Sequence, residues 1–119
     1  MSSGMIETGL SSQALDVHRA LASLQEELEA IDYYHQRVDV TGDESLKEVL
    51  AHNRDDEMEH ASMLLEWLRR TVPTLDLQLR KFLFSTGSLT ALAATKEAPP
   101  RGAGLGLGSL RDLGQKEQS

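Results

Sequence analysis

Glu57 and His60 stand three residues apart in a stretch whose apolar residues recur at helical spacing. With about 100° of rotation per residue, Leu46, Val49, Leu50, Leu64, Trp67 and Leu68 gather on one face, and Asn53, Glu57 and His60 fall within the same arc. Glu-x-x-His pairs are common on solvated helices, but a carboxylate and an imidazole set into an apolar stripe need compensation. A buried charge neutralises, pairs or binds a metal. Glu27, in the preceding helical stretch, lies beside the stripe formed by Leu21, Leu24, Leu28 and Ile31 and is the candidate partner. One Glu from one helix and one Glu-x-x-His from the next make half of a di-iron carboxylate site, whose full form takes each element twice. Two copies of this chain are therefore needed to complete it. A ligand set of carboxylates with one imidazole and no thiolate suits iron or manganese better than structural zinc.

Residues around this set have weaker claims. Glu26 and Glu29 point at least roughly a quarter turn away from the stripe, where they either line an approach route for cations or form a solvated acidic face. Tyr34 lies seven residues after Glu27, two turns on along the same face, and either reaches the site with its hydroxyl or packs at an interface. Tyr33 points elsewhere. Asn53 is a candidate hydrogen-bond partner for the ligands, Trp67 reads as core, and His18, His35 and His52 read as surface histidines.

The elements that position these residues are helical. Ser11 or Ser12 caps a first helix that runs without Gly or Pro to about Val40. Thr41-Gly42-Asp43 breaks the pattern, with Gly42 suited to a left-handed turn and Asp43 to capping a second helix from about Glu44 to Arg70. So short a connection makes the helices antiparallel neighbours. Arg69 and Arg70 suit the C-terminal end of the helix dipole, and Pro73 stops or redirects the chain. A shorter amphipathic helix is predicted from Thr74 to Phe84, and one or two further turns between Ser88 and Ala94. The expected organisation is a flexible tail over residues 1–10, a helical domain over 11–95 and a disordered tail over 96–119. That last segment is rich in Gly and Pro yet studded with Leu105, Leu107, Leu110 and Leu113, as an extended peptide docking on another protein would be.

Composition narrows the function classes. The chain has 119 residues, a net charge of −7 and 39% hydrophobic residues, a modest supply for a self-sufficient core, so oligomerisation is expected. No basic stripe is present for nucleic acid or an anionic membrane. With no cysteine, disulfides, thiolate metal sites and iron–sulfur clusters are excluded. Neither a signal peptide nor a membrane span is apparent, so a soluble intracellular protein is expected.

Three runs carry a resemblance to a known family: Glu26-Glu27-Leu28-Glu29-Ala30-Ile31-Asp32-Tyr33-Tyr34, Leu50-Ala51-His52-Asn53-Arg54-Asp55-Asp56-Glu57-Met58-Glu59-His60, and Glu66-Trp67-Leu68-Arg69-Arg70. Together they resemble the encapsulated ferritins over most of residues 13–90. The resemblance implies an all-α protomer of two antiparallel helices plus a short C-terminal helix, dimerising into a ferritin-like four-helix bundle and assembling as a ring of five dimers. It implies a ferroxidase that oxidises Fe(II) at a di-iron site of two ions per dimer, with Glu27, Glu57 and His60 as ligands, Tyr34 beside them, and Glu26 and Glu29 on the metal approach path. The family commonly has Trp where this chain has Tyr33. Its members are cargo of encapsulin shells, and residues 105–111 (Leu105-Gly106-Leu107-Gly108-Ser109-Leu110-Arg111) resemble the docking peptide, which implies a cytoplasmic location inside the shell lumen. Two other readings of the same residues are a metal-independent structural or adaptor oligomer and a di-iron peroxide reductase. The absence of cysteine leaves the latter without a rubredoxin-like electron centre.

Overall fold

The computed structural model describes residues 6–96. Among them are four helices and no strand: α1 (Ser12–Val40), α2 (Glu44–Thr71), α3 (Pro73–Phe82) and α4 (Leu89–Ala93). The expected tail beyond residue 96, with its docking peptide at 105–111, lies outside the described residues. The chain divides into two compact units, one ending at Asp76 and the other beginning at Leu77.

The first unit is an antiparallel helix pair. Ser11 caps α1, its Oγ accepting from Ala14 N at 3.1 Å, and Asp43 caps α2, its Oδ1 accepting from Leu46 N at 2.9 Å. Each cap satisfies an amide that has no partner within its own helix. The turn between the helices departs from expectation at Gly42, which does not adopt a positive φ. Thr41 (φ −75°, ψ 127°) and Asp43 (φ −76°, ψ 118°) are both extended, so the reversal is made without a left-handed residue. Cross-helix contacts fix the direction: Glu27 meets His60 while His35 meets Arg54, so residue numbers fall along α2 as they rise along α1.

Ala20, Ala61 and Leu68 are the buried residues of this pair, and Leu68 alone is almost fully enclosed, at 1% exposure. The expected apolar stripes are present but only partly covered. Leu21, Leu28, Leu46, Val49 and Trp67 all remain exposed, Trp67 against its reading as core. Two helices present one contact line to each other, and a wide apolar face needs a second partner to cover it.

The end of α2 is tied down by charge. Arg69 donates to Glu66 Oε1 through Nε at 2.7 Å and to Glu66 Oε2 through Nη2 at 2.8 Å, and its Nη1 donates to Asp76 in the first turn of α3. Arg70 Nε adds a bond to Glu66 Oε2 at 2.7 Å. The two guanidinium groups hold the Glu66 carboxyl at a pKa of about 2, and Glu66 with Asp76 pushes that of Arg69 upward. Val72 is extended (φ −110°, ψ 104°), as the residue before a proline prefers, and Pro73 opens α3, where its missing N–H costs nothing. Instead of stopping the chain, Pro73 starts the next helix.

In the second unit Ser88 caps α4, its Oγ accepting from Ala91 N at 3.1 Å. Lys81 Nζ donates to Thr95 O at 2.6 Å and to Ala93 O at 3.5 Å, which fastens the end of α3 to carbonyls at the end of α4. Helix α3 closes at Phe82, two residues before the expected Phe84, because Phe84 is left-handed, with φ 61°. That conformation costs a residue bearing a Cβ roughly 1–2 kcal/mol. Gly87 takes φ 83° without that penalty.

Candidate metal centre

Helical spacing and antiparallel register together build the centre. Glu57 and His60 lie one turn apart on α2 and project from the same face; α1 brings Glu27 opposite them. His60 Nδ1 is 3.4 Å from Glu57 Oε1 and 3.5 Å from Glu27 Oε1. One donor atom from each of the three residues lies within 4.8 Å of the others, close enough for a single ion to bind all three. Among the described residues this is the group of His and carboxylate side chains so arranged.

Its electrostatics are those of a site short of positive charge. The neighbouring Glu57 carboxyl raises the Glu27 pKa; burial pushes the same way, and His60 opposes them. For His60, burial works against the charged imidazole, but attraction to Glu27 and the bonds to Glu57 outweigh it, and the pKa rises. Glu27 Oε1 is buried and makes no hydrogen bond. A carboxylate oxygen withdrawn from water without a hydrogen bond is costly; the His60 ring beside it, when protonated, or a bound cation would offset that cost.

The burial differs from the sequence expectation in one respect. Glu27 and Glu57 are half-buried, whereas the His60 side chain is 46% exposed. The face that carries His60 also carries the uncovered Val49 and Trp67, so the imidazole looks toward the side on which the helix pair has no partner.

Other candidates are placed as follows. Tyr34 is half-buried, with the Arg37 guanidinium 5.6 Å from its ring centroid. Glu26 and Glu29 are exposed and outside the three-residue group. Tyr33, set aside from sequence, donates its hydroxyl to Glu29 Oε2 at 3.1 Å, and that bond raises its own pKa. The four-residue spacing on one helix would have revealed this pair. His35 and His52 are on the surface as expected, but both have partners: His35 Nδ1 lies 3.3 Å from Arg54 Nη1, and His52 Nε2 lies 3.4 Å from Asp56 Oδ2. The first is a contact between helices whose register no local signal reports. Asn53 is half-buried beside the centre on α2. Among the described residues no helix is long and apolar enough to cross a membrane.

The model of the family described as EncFtn-like matches residues 5–86, a span that contains the whole centre. The chain belongs to that family. It is 45% identical over 115 residues to an encapsulated ferritin-like protein of Rhodospirillum rubrum, covering 86% of this chain and 82% of that protein. It is 53% identical over 83 residues to a ferritin-like protein of Thermotoga maritima, covering 70% and 73% of the two chains. A more distant relative, 37% identical over 51 residues, covers 43% of this chain and 39% of its own; it is an encapsulin nanocompartment cargo protein of Myxococcus xanthus. A crystal structure of a Nitrosomonas europaea protein superposes with a TM-score of 0.70 at 51% identity, over 72% of this chain and 97% of the other. The all-α architecture is thus shared with the EncFtn-like relatives.

Proposed function

We propose that the protein is a ferroxidase that oxidises Fe(II) to Fe(III) at a di-iron site completed by two copies of the chain, and that it serves an encapsulin iron store. The observation that carries this reading is the convergence of Glu27, Glu57 and His60, with a buried Glu27 oxygen that makes no hydrogen bond, in a chain whose relatives are named ferritin-like.

The donor set fits ferrous iron: hard carboxylate oxygens with one imidazole and no sulfur. Three donors are too few for two ions, and a second copy doubles them. The exposed face of Leu21, Leu28, Leu46 and Val49, next to His60, is where that copy packs, forming a four-helix bundle. Iron is the substrate, and each ion gives up one electron to dioxygen or peroxide. The pKa values of Glu27 and His60 are both raised, so binding a cation displaces the protons these groups hold and loading releases protons. Glu26 and Glu29 lie on the approach route, and Tyr34 lies beside the site. Residues 105–111 are the docking peptide of this reading, in a family with a Myxococcus relative named as encapsulin cargo, and Fe(III) is passed on for mineralisation in the lumen.

Stopped-flow Fe(II) oxidation on metal-free protein tests the assignment. Glu27→Ala and His60→Ala are each expected to reduce the rate to that of buffer. Unchanged oxidation in either variant would refute the site. Oxidation no faster than buffer in the parent protein would leave the three residues as a structural network within a metal-independent oligomer.

A further inference from the structure

The metal centre divides the helix pair into two halves that are held differently. Away from the turn, α1 and α2 meet around Ala20, Ala61 and Leu68, the buried residues among those described. On the turn side, residues 28–40 of α1 and 44–56 of α2 include no buried side chain. The caps of the turn bond back into their own helices, Thr41 N donating to Arg37 O at 3.0 Å and Leu46 N to Asp43 Oδ1 at 2.9 Å. Apolar burial, the main force pressing helices together, is thus concentrated on one side of the centre.

On the other side a polar contact crosses the pair. Arg54 Nη1 lies 3.3 Å from His35 Nδ1. Arginine has no acceptor, so the guanidinium donates and Nδ1 accepts. The same guanidinium is steadied from its own helix, where Nε donates to Asp55 Oδ1 at 3.2 Å, and the Arg54 side chain is 22% exposed. A planar group fixed at one edge presents its remaining N–H groups in a set direction. Arg54 stands one turn before Glu57 on α2, and His35 follows Glu27 on α1 by about two turns, roughly 12 Å along the axis. The contact falls beside the place where the helices have most reason to part, because ionised Glu27 and Glu57 repel each other across the pair. A metal site tolerates ligand displacements of only about 0.2 Å.

We propose that His35 and Arg54 are positioning residues for the metal centre: their contact braces α1 against α2 on the turn side of Glu57 and so sets the distance at which Glu27 faces Glu57 and His60. This rests on the metal-site reading above and extends it to two residues outside the ligand set.

Co(II) added to full-length, metal-free protein and followed by its visible ligand-field absorption tests the brace. His35→Leu removes the acceptor, and Arg54→Met removes the donor while keeping most of the stem. Each is expected to weaken Co(II) binding roughly tenfold, the lower end of the loss typical for residues that orient ligands, and to alter the absorption band. His35→Asn places an acceptor oxygen where Nδ1 stood and should return affinity and band to those of the parent. Helix propensity alone would rank these variants the other way, leucine ahead of asparagine. Combining His35→Leu with Arg54→Met should be no worse than either alone, since both remove one contact. The inference is overturned if His35→Leu binds Co(II) as the parent does, if His35→Asn is no better than His35→Leu, or if the two single effects add. The ferroxidase reading fails separately: a parent that shows this pattern with Co(II) but oxidises Fe(II) no faster than buffer keeps the brace and loses the oxidase.

Discussion

Glu57, a ligand in the proposed metal site, is placed where it weakens the metal-free fold. Its carboxylate neighbours that of Glu27, and with burial it raises the Glu27 pKa in the folded state. A raised pKa contributes stability that is present below the ordinary value of 4.5 and lost as pH rises through the raised one. His60, raised from 6.5, has the same sign, its contribution fading as pH climbs through its own raised value. Metal-free protein is therefore expected to lose stability from pH 4.5 upward to above pH 6.5, and a divalent cation such as Co(II) should restore it. Thermal melts over that range, with and without the ion, check both statements. Glu57→Gln removes the competing charge while keeping the shape. It is expected to stabilise the metal-free chain by roughly 1 kcal/mol, as relief of a functional conflict commonly does, and to slow iron oxidation at least tenfold. An unaltered oxidation rate would separate Glu57 from the chemistry.

At the scale of the element, the helix pair depends on few residues. Leu68 is the one large side chain enclosed between α1 and α2, and Leu68→Ala should cost about 2–5 kcal/mol, read as a shift in the urea midpoint. Ser11→Ala, at the start of α1, should cost about 1 kcal/mol through loss of its bond to Ala14 N. Glu66 is a pH probe for the end of α2. Its pKa is depressed from 4.5 to about 2, so its ion pairs stabilise the fold above 4.5 and are lost as pH falls toward 2. Because the side chain is 41% exposed, solvent screening holds the effect to the order of 1 kcal/mol. The difference in urea midpoint between Glu66→Gln and the parent should be visible at pH 7 and should vanish near pH 2.

For the whole molecule, the exposed apolar face and the proposed di-iron centre would both be completed by a second copy. Val49 is 55% exposed on the face that carries His60, and a charge buried there would be unpaired. Val49→Lys is expected to raise the dimer dissociation constant at least tenfold and to make iron oxidation depend steeply on protein concentration; sedimentation and initial rates measure the two effects. If metal joins the copies, the melting temperature should rise with added ion and with protein concentration together. Deletion of residues 105–111 should leave oxidation in free solution unchanged and abolish co-purification with a co-expressed encapsulin shell.

Much of the helix pair and its centre is legible in the sequence, because it depends on signals spanning only a few residues. Ser11 and Asp43 mark helix starts by their capping chemistry, and Glu57 and His60 share a face because helical periodicity puts them there. Glu27 can be nominated for its place beside the α1 stripe. Whether it meets His60 or a residue a turn away is a matter of register between two helices, and register is set by packing around Ala20, Ala61 and Leu68 rather than by local preference. Burial escapes the sequence for the same reason. Periodicity shows that Trp67, Val49 and His60 share an apolar arc, but a single neighbouring helix covers only part of it, so Trp67, which reads as core, is exposed. The left-handed Phe84 has no signal at all, since a bulky residue is the last that steric preference would place there. Short-range chemistry is written in the order of residues, whereas proximity across helices and the extent of their cover arise only when the chain is packed in three dimensions.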